Sequence, residues 1–282
     1  MDFGYLYVAS GEKYLREVQI SARSLKRYTS YPIALVTNDR NFNSPLFDTI
    51  IYEEGLYNSY GTKILGLQRT PFLKKTVFLD TDTFVGDSID GIFEFLDLFK
   101  MAMTQDLSGH SYSFIRKAQP DFKIRLENVL HEFHTGVIGY RNSDAEVQRF
   151  LEYWKQAHEP SGFKTDMPAF REAFIDHPVS IGILPQEYNF YGSGTFAVAY
   201  NKIRVLHERI GSKWSDRRSY VPEFEIMDKY LNKLNRKTYK RLIIPVVGIL
   251  PYYFSPSVIK GKIKRMLGVK MSGKMRSNVG AK

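Results

Sequence analysis

An α/β fold with a mainly parallel central sheet is what this sequence predicts, and three observations carry the prediction. Short apolar runs alternate with segments of helical period along the first half of the chain. Several of those runs end abruptly at a polar residue, the pattern of strands whose carboxyl ends open onto a site. The composition is that of a core-forming enzyme-sized chain: 282 residues, 43% hydrophobic, 25% charged and no cysteine. At ~100–200 residues per domain, this is one large domain or somewhat more. A chain of this size buries about three-quarters of its unfolded surface, so it folds without disulfides or structural metals. The lack of cysteine also removes thiolate zinc sites and cysteine nucleophiles, and it suits a reducing, cytoplasmic compartment. The opening residues carry no basic flank before a long apolar stretch, so no secretory leader is expected.

The elements follow in order. Phe3 to Ala9 is an aromatic and apolar run, the first buried strand. From Glu12 to Tyr28, Leu15, Val18, Ala22 and Leu25 recur at helical spacing, with Lys13, Glu17 and Arg23 off that face and Ser10 as the expected cap. Strands follow at Ile33 to Val36, Thr49 to Tyr52 and Thr76 to Leu79. Ligands in such sheets sit beyond the strand ends, so Ser10, Asp39 and Asp80 mark where to look. Further on, Gly136 to Tyr140 is strand-like, Ser143 to Ala157 is helical, and a short helix spans Pro168 to Ile175. Ile181 to Leu184 and Thr195 to Tyr200 also read as strands.

Charge divides the chain. From Lys229 to Lys282 there are fourteen Lys and Arg and no Asp or Glu, while the rest holds 26 basic and 30 acidic residues. A catalytic body over residues 1–228 and a basic tail over residues 229–282 are therefore expected, the tail directed at an anionic partner. Within the tail, Leu242 to Phe254 is apolar for thirteen residues. That is too short for the ~20 a membrane span needs. Ile259, Ile263, Met266, Leu267 and Met271 then form an apolar stripe flanked by Lys262, Lys264 and Arg265, the pattern of a segment lying on an anionic membrane surface. No alternating aromatic and basic platform is present, so nucleic acid is disfavoured as a partner.

The strongest chemical signal is TPFLKKTVFLDTDTFV, residues 70–85. An apolar strand delivers Asp80, Thr81 and Asp82 at its end; continued strand geometry puts both carboxylates on one side and Thr81 on the other. Two such carboxylates suit a hard cation such as Mn²⁺ or Mg²⁺. Fifteen aspartates produce about one D-x-D pair by chance in a chain this long, so the placement carries the argument. Phosphate-loop and dinucleotide readings fail: Gly61-Thr62-Lys63 has the wrong order for the first, and no G-x-G-x-x-G follows the first strand. HEFH, with His131 and His134, lacks the spacing that puts two zinc-binding histidines on one helix face, and a polar cluster at a helix end is expected instead. Tyr188 to Tyr191 suits either an acceptor platform or buried packing. Two functional classes stay open on residues alone, a metal-dependent enzyme and a non-catalytic membrane or nucleic-acid binder using the tail.

FLDTDTFV, preceded by KILGLQRTPFLKK, resembles the D-x-D region of GT-A nucleotide-sugar glycosyltransferases. HTGVIGYRNSDAEVQRFLEYW resembles that family's Asn/Thr-Gly-Val strand, and DMPAFREAF its D-Q-x-x-(L/F) helix start, with Met167 in place of the Gln. VLHERIGSKW resembles the H-x-x-G-x-x-K-P-W signature of the glycogenin and bacterial lipopolysaccharide galactosyltransferase group, with the Gly one place late and the Pro missing. The resemblance spans roughly residues 3–215 and implies a GT-A fold and sugar transfer from a nucleotide-diphosphate donor, UDP-linked, to a glycan or lipid-linked acceptor. It implies that Asp80, Asp82 and His207 bind Mn²⁺ or Mg²⁺, with Asp80 also near the ribose. Val8, Ala9, Ser10 and Tyr14 are implied in the nucleoside pocket and Lys63 near the phosphates or sugar. Gly211 and Lys213 fall on the diphosphate, and Asp166 on the donor sugar. On residue chemistry alone, His207 suits a structural role as well as a ligand, and Lys213 an exposed surface position.

Overall fold

Seven strands and the helices packed on both their faces give a three-layer sandwich. The computed structural model describes residues 1–56, 61–107, 115–116, 121, 123–126, 129–159, 161, 165–191, 195, 198–210 and 220–236. They belong to one compact unit, Met1–Thr238; a second unit, Tyr239–Lys282, lies outside the described residues, and with it most of the basic tail.

Strands β1 (Phe3–Ala9), β2 (Ile33–Thr37), β3 (Thr49–Tyr52), β4 (Lys75–Leu79), β6 (Met101–Gln105), β7 (Phe133–Arg141) and β8 (Ile181–Ile183) form one sheet in the order β3-β2-β1-β4-β7-β6-β8. Every neighbouring pair is parallel except the two made by β7, which runs against both β4 and β6. The mainly parallel sheet read from the sequence is what forms. Its connectivity explains where a site belongs. The chain steps outward from β1 to β2 and β3, then returns to the other side of β1 as β4, creating a switch point between β1 and β4. With Leu6 opposite Phe78, the residues after β1 and those after β4 leave the same edge of the sheet.

The period of two sorts β1 between the layers. Tyr5, Tyr7 and Ala9 pack with Leu15, Val18, Ala22 and Leu25 of helix α1 (Glu12–Leu25) and with Ile92 and Phe93 of α3 (Gly91–Phe95). Leu6 joins the opposite cluster, built from α2 (Gly61–Leu67), α4 (Ala145–His158) and α5 (Met167–Asp176), where Trp154, Phe150 and Phe170 are buried. A separate two-stranded antiparallel sheet pairs β5 (Thr83–Val85) with β9 (Val205–His207). Helix α6 (Phe224–Arg236) covers it, burying Met227 and Leu231 with Phe84, Ile203 and Leu206.

Several local expectations are corrected. The cap of α1 is Gly11, whose φ of +85° turns the chain, while the Ser10 hydroxyl donates to the Leu56 carbonyl instead. The helix ends at Leu25, short of Tyr28, and Glu17 is buried at 2% exposure, not solvated. Residues Thr195 and Val198–Ala199 form no strand, because the Val198 and Ala199 amides both donate back to the Thr195 carbonyl as in a helical turn. His134 sits in strand β7, not at a helix end. The boundary expected between residues 228 and 229 falls inside α6, whose apolar face keeps the chain on the body as far as Arg236.

Helix α2 lies on β1 through a missing side chain. A Cβ at Gly66 would come 2.3 Å from Cγ2 of Val8. Alanine favours a helix by ~1 kcal/mol over glycine, but overpacking against a stiff β-branched side chain costs ~1–3 kcal/mol. Gly66→Ala is therefore expected to destabilise the protein by up to about 2 kcal/mol in denaturant unfolding. An increase in stability would show that the helix is free to lift off β1.

Candidate active site

The ladder between β4 and β7 continues one residue past β4, as the Asp80 amide donates to the Gly136 carbonyl at 2.9 Å. There the strand stops. Asp80-Thr81-Asp82 is a turn, closed by the Thr83 amide and hydroxyl donating to the Asp80 carbonyl at 3.2 and 2.8 Å. The two carboxylates still share a side, as the strand reading expected, but the turn is what places them there.

Pairing of β5 with β9 sets Thr83 opposite His207 and swings the imidazole over the turn. His207 Nε2 lies 3.1 Å from Asp82 Oδ1 and 3.7 Å from Asp80 Oδ2. Ligand atoms from all three residues fall within 4.8 Å of one another. Two carboxylates and a buried imidazole in that space are a donor set for a hard or borderline divalent cation, so the residues fit the Mn²⁺ or Mg²⁺ that the resemblance implies. Gly136 makes room for the ring: a Cβ there would come 2.2 Å from His207 Cε1. On the ring's other edge Nδ1 lies 2.8 Å from Asn189 Oδ1, and Asn189 donates to Thr104 Oγ1 at 3.2 Å.

Lys63 enters from α2. Its Nζ is 3.0 Å from Asp80 Oδ1 and 2.9 Å from Asp166 Oδ2, and it donates to the Thr135 carbonyl at 3.2 Å. Asp166 precedes the first turn of α5 and is held there by Trp154 Nε1, which donates to its backbone carbonyl at 3.0 Å. Asp166 is 3% exposed.

Charges this close shift one another. Burial works against the Lys63 ammonium, but Asp166 and Asp80 hold it well above its ordinary range. Burial pushes Asp80 up, assisted by the neighbouring carboxylates of Asp82 and Asp166 and opposed by Lys63 and His207. Burial also works against charge on Asp82, yet His207 and Arg209 hold it far below the carboxylate range. For His207 burial favours the neutral ring, but Asp82 and Asp80 outweigh it and raise the imidazole.

The structure thus brings Lys63, Asp80, Asp82, Asp166 and His207 together. Val8, Ala9 and Ser10 end the adjacent strand β1, with Val8 packed against Gly66 and Tyr14 half-buried on the first turns of α1 beneath Lys13. Gly211, Lys213 and Trp214 lie outside the described residues. Tyr191 lies tilted against His134 and edge-on against His207, with centroids 5.0 and 5.5 Å away. A groove of about 630 Å³ lies elsewhere, between Glu12, Arg16 and Gln19 of α1 and the Asn38–Phe42 segment; it includes none of the clustered carboxylates.

Sequence reasoning missed Arg209 and Glu17. Arg209 Nη1 is 2.9 Å from Asp82 Oδ2, and its Nε and Nη2 donate to Glu17 at 2.6 and 3.0 Å. The only signal for Arg209 was its place inside HERIGSK. Glu17 gave none, since a glutamate one turn after Lys13 reads as an ordinary helix-surface pair.

No family model and no curated protein matches the chain. Among solved structures it is similar to the apo form of mouse xyloside xylosyltransferase 1, at 13% identity over 76% of this chain and 99% of that one, with a TM-score of 0.49. It is also similar to the apo WbbM bifunctional glycosyltransferase, at 13% identity over 85% of this chain, with a TM-score of 0.54; it spans about half of that protein's length. The second likeness is one of fold: this chain has the α/β architecture of the GT-A glycosyltransferases.

Proposed function

We propose that the chain is a metal-dependent glycosyltransferase, moving a hexose from a UDP-linked donor to a glycan or lipid-linked acceptor. The observation that carries this reading is the convergence of Asp80, Asp82 and His207 at the switch point of a sheet with this fold. A binding module using a basic tail has no use for three ionisable groups with mutually shifted pKa values converging at a strand end.

In this reading Asp80, Asp82 and His207 hold Mn²⁺ or Mg²⁺, which neutralises charge on the departing diphosphate. Val8, Ala9, Ser10 and Tyr14 receive the nucleoside at the end of β1. Lys63 holds Asp80 and Asp166 in place, leaving Asp166 to orient hydroxyls of the sugar. Gly211 and Lys213 contact the diphosphate. Met167 offers no amide where the family often has Gln, so the chain supplies no polar side chain at that position.

No helix among the described residues is long and apolar enough to cross a membrane. Ten of the fourteen cations counted from Lys229 onward lie beyond Thr238. At ~1 kcal/mol for each basic side chain near an anionic leaflet, they suffice for firm, salt-sensitive attachment. The acceptor is then presented from that surface.

Three outcomes are expected. Asp80→Ala or Asp82→Ala abolishes Mn²⁺-dependent UDP binding in calorimetry with the fold intact, and His207→Ala weakens it less; unchanged affinity in either aspartate variant ends the proposal. Because Asp82 and Asp80 raise His207 above its ordinary range, the metal-free ring holds a proton that a cation must displace. Mn²⁺ affinity therefore rises as pH rises through neutrality, and binding releases protons, measurable in buffers of differing ionisation enthalpy; a pH-independent Kd contradicts this. Finally, the full chain sediments with anionic liposomes in low salt while a chain ending at Thr238 does not, and equal sedimentation of both removes the tail's role.

A further inference from the structure

We propose that Glu17 and Arg209 are positioning residues that fix which oxygen of Asp82 faces the metal, an inference that rests on the metal-binding reading above. Glu17 lies on α1, yet it is 2% exposed and every oxygen is taken. Its Oε1 accepts from Arg209 Nε at 2.6 Å and lies 3.3 Å from Lys13 Nζ. Its Oε2 accepts from Arg209 Nη2 at 3.0 Å and from the Thr81 hydroxyl at 3.1 Å. Thr81 is the residue between the two aspartates. One carboxylate therefore holds both the middle of the Asp80-Thr81-Asp82 turn and a guanidinium that reaches its end.

The planarity of that guanidinium makes the arrangement directional. With Nε and Nη2 on Glu17, Arg209 has Nη1 left to meet Asp82 Oδ2 at 2.9 Å. Asp82 Oδ1 then faces His207 Nε2 at 3.1 Å, on the cluster's side. The carboxylate is divided, one oxygen anchored to arginine and the other left for the cation. A salt bridge serving the fold alone has no need of the third contact to Asp82 or of the hydroxyl of Thr81. Without the charge of Glu17, Arg209 loses its two-point hold and is free to take both oxygens of Asp82 in a fork. It then competes with the cation. Lysine at 209 cannot span Glu17 and Asp82 with fixed geometry.

The test is a Mn²⁺ titration followed by the EPR signal of free Mn²⁺, with thermal unfolding of the metal-free protein in parallel. Glu17→Gln and Arg209→Lys should each weaken Mn²⁺ binding by ~10-fold, the scale of lost support to a metal ligand. Adding Arg209→Met to Glu17→Gln should recover part of the loss, because the competing guanidinium is gone. A merely structural role lowers the unfolding temperature but leaves the Mn²⁺ Kd in place and gives no recovery. If Glu17→Gln does not fold, Thr81→Val removes one hydroxyl from the same strut and should weaken Mn²⁺ binding by a smaller factor. A Kd unchanged in Glu17→Gln, or in Thr81→Val where that stands in, overturns the proposal alone when Asp82→Ala abolishes binding. A Kd unchanged in Asp82→Ala overturns the metal site and this proposal with it.

Discussion

One buried ammonium ties the site together. Lys63 Nζ contacts Asp80 at the end of β4, Asp166 at the start of α5 and Thr135 in β7. Segments at residues 80, 135 and 166 thus meet the α2 lysine at a single nitrogen. Charges removed from water are costly unless each finds a close opposite charge, and breaking such a pair costs ~3–5 kcal/mol. The arrangement therefore holds only if α2 sits close on β1, which the bare Gly66 allows, and if α5 begins at the right height. Trp154, on the neighbouring α4, fixes that height by donating to the carbonyl of Asp166. The two large-scale features of the fold, a helix pair on one face and an antiparallel strand beside β4, are what this contact requires.

Much of this was legible because it depends on local pattern. The first four strands and the apolar face of α1 are written in residue type, and Asp80 and Asp82 stood out as donor types at a strand end, while His207 was pointed to as a ligand only by the resemblance of VLHERIGSKW. What escaped depends on groups that meet only in three dimensions. A glutamate four residues after a lysine looks solvated. Its burial follows from Thr81 and Arg209 arriving from elsewhere, and neither spacing nor hydropathy records that. The D-T-D segment is a related case. Alternation predicted the correct side for both carboxylates, yet the chain turns there, because the Thr83 amide and hydroxyl both bond back to Asp80. Period-two alternation and a tight turn agree over three residues and diverge only afterwards.

The misread strand near residue 195 and the early end assigned to the body share another cause. Buried apolar residues such as Ala199, or Met227 and Leu231, show that a segment packs on the core but not in which conformation. For α6 the charge run from Lys229 obscured an amphipathic helix whose buried face packs on the small sheet. The small sheet in turn carries His207. A boundary drawn on charge alone thus cuts through the element that supports the histidine.

The balance of charge gives the proposed reading an order of binding. Glu17, Asp80, Asp82 and Asp166 face Lys63, Arg209, the proton-bearing His207 and, at the rim of Glu17, Lys13, so the cluster without a cation is close to neutral. With opposite charges so nearly matched, the residues alone give a diphosphate no net attraction in a poorly screened setting. A cation held by Asp80, Asp82 and His207, in place of the imidazole proton, would make the local charge positive. Donor binding in that order draws on the same carboxylates twice, once to attract the cation and once, through it, to accept the phosphates. The residues that divide and restrain those carboxylates, Lys63 for Asp80 and Arg209 for Asp82, act equally on both events.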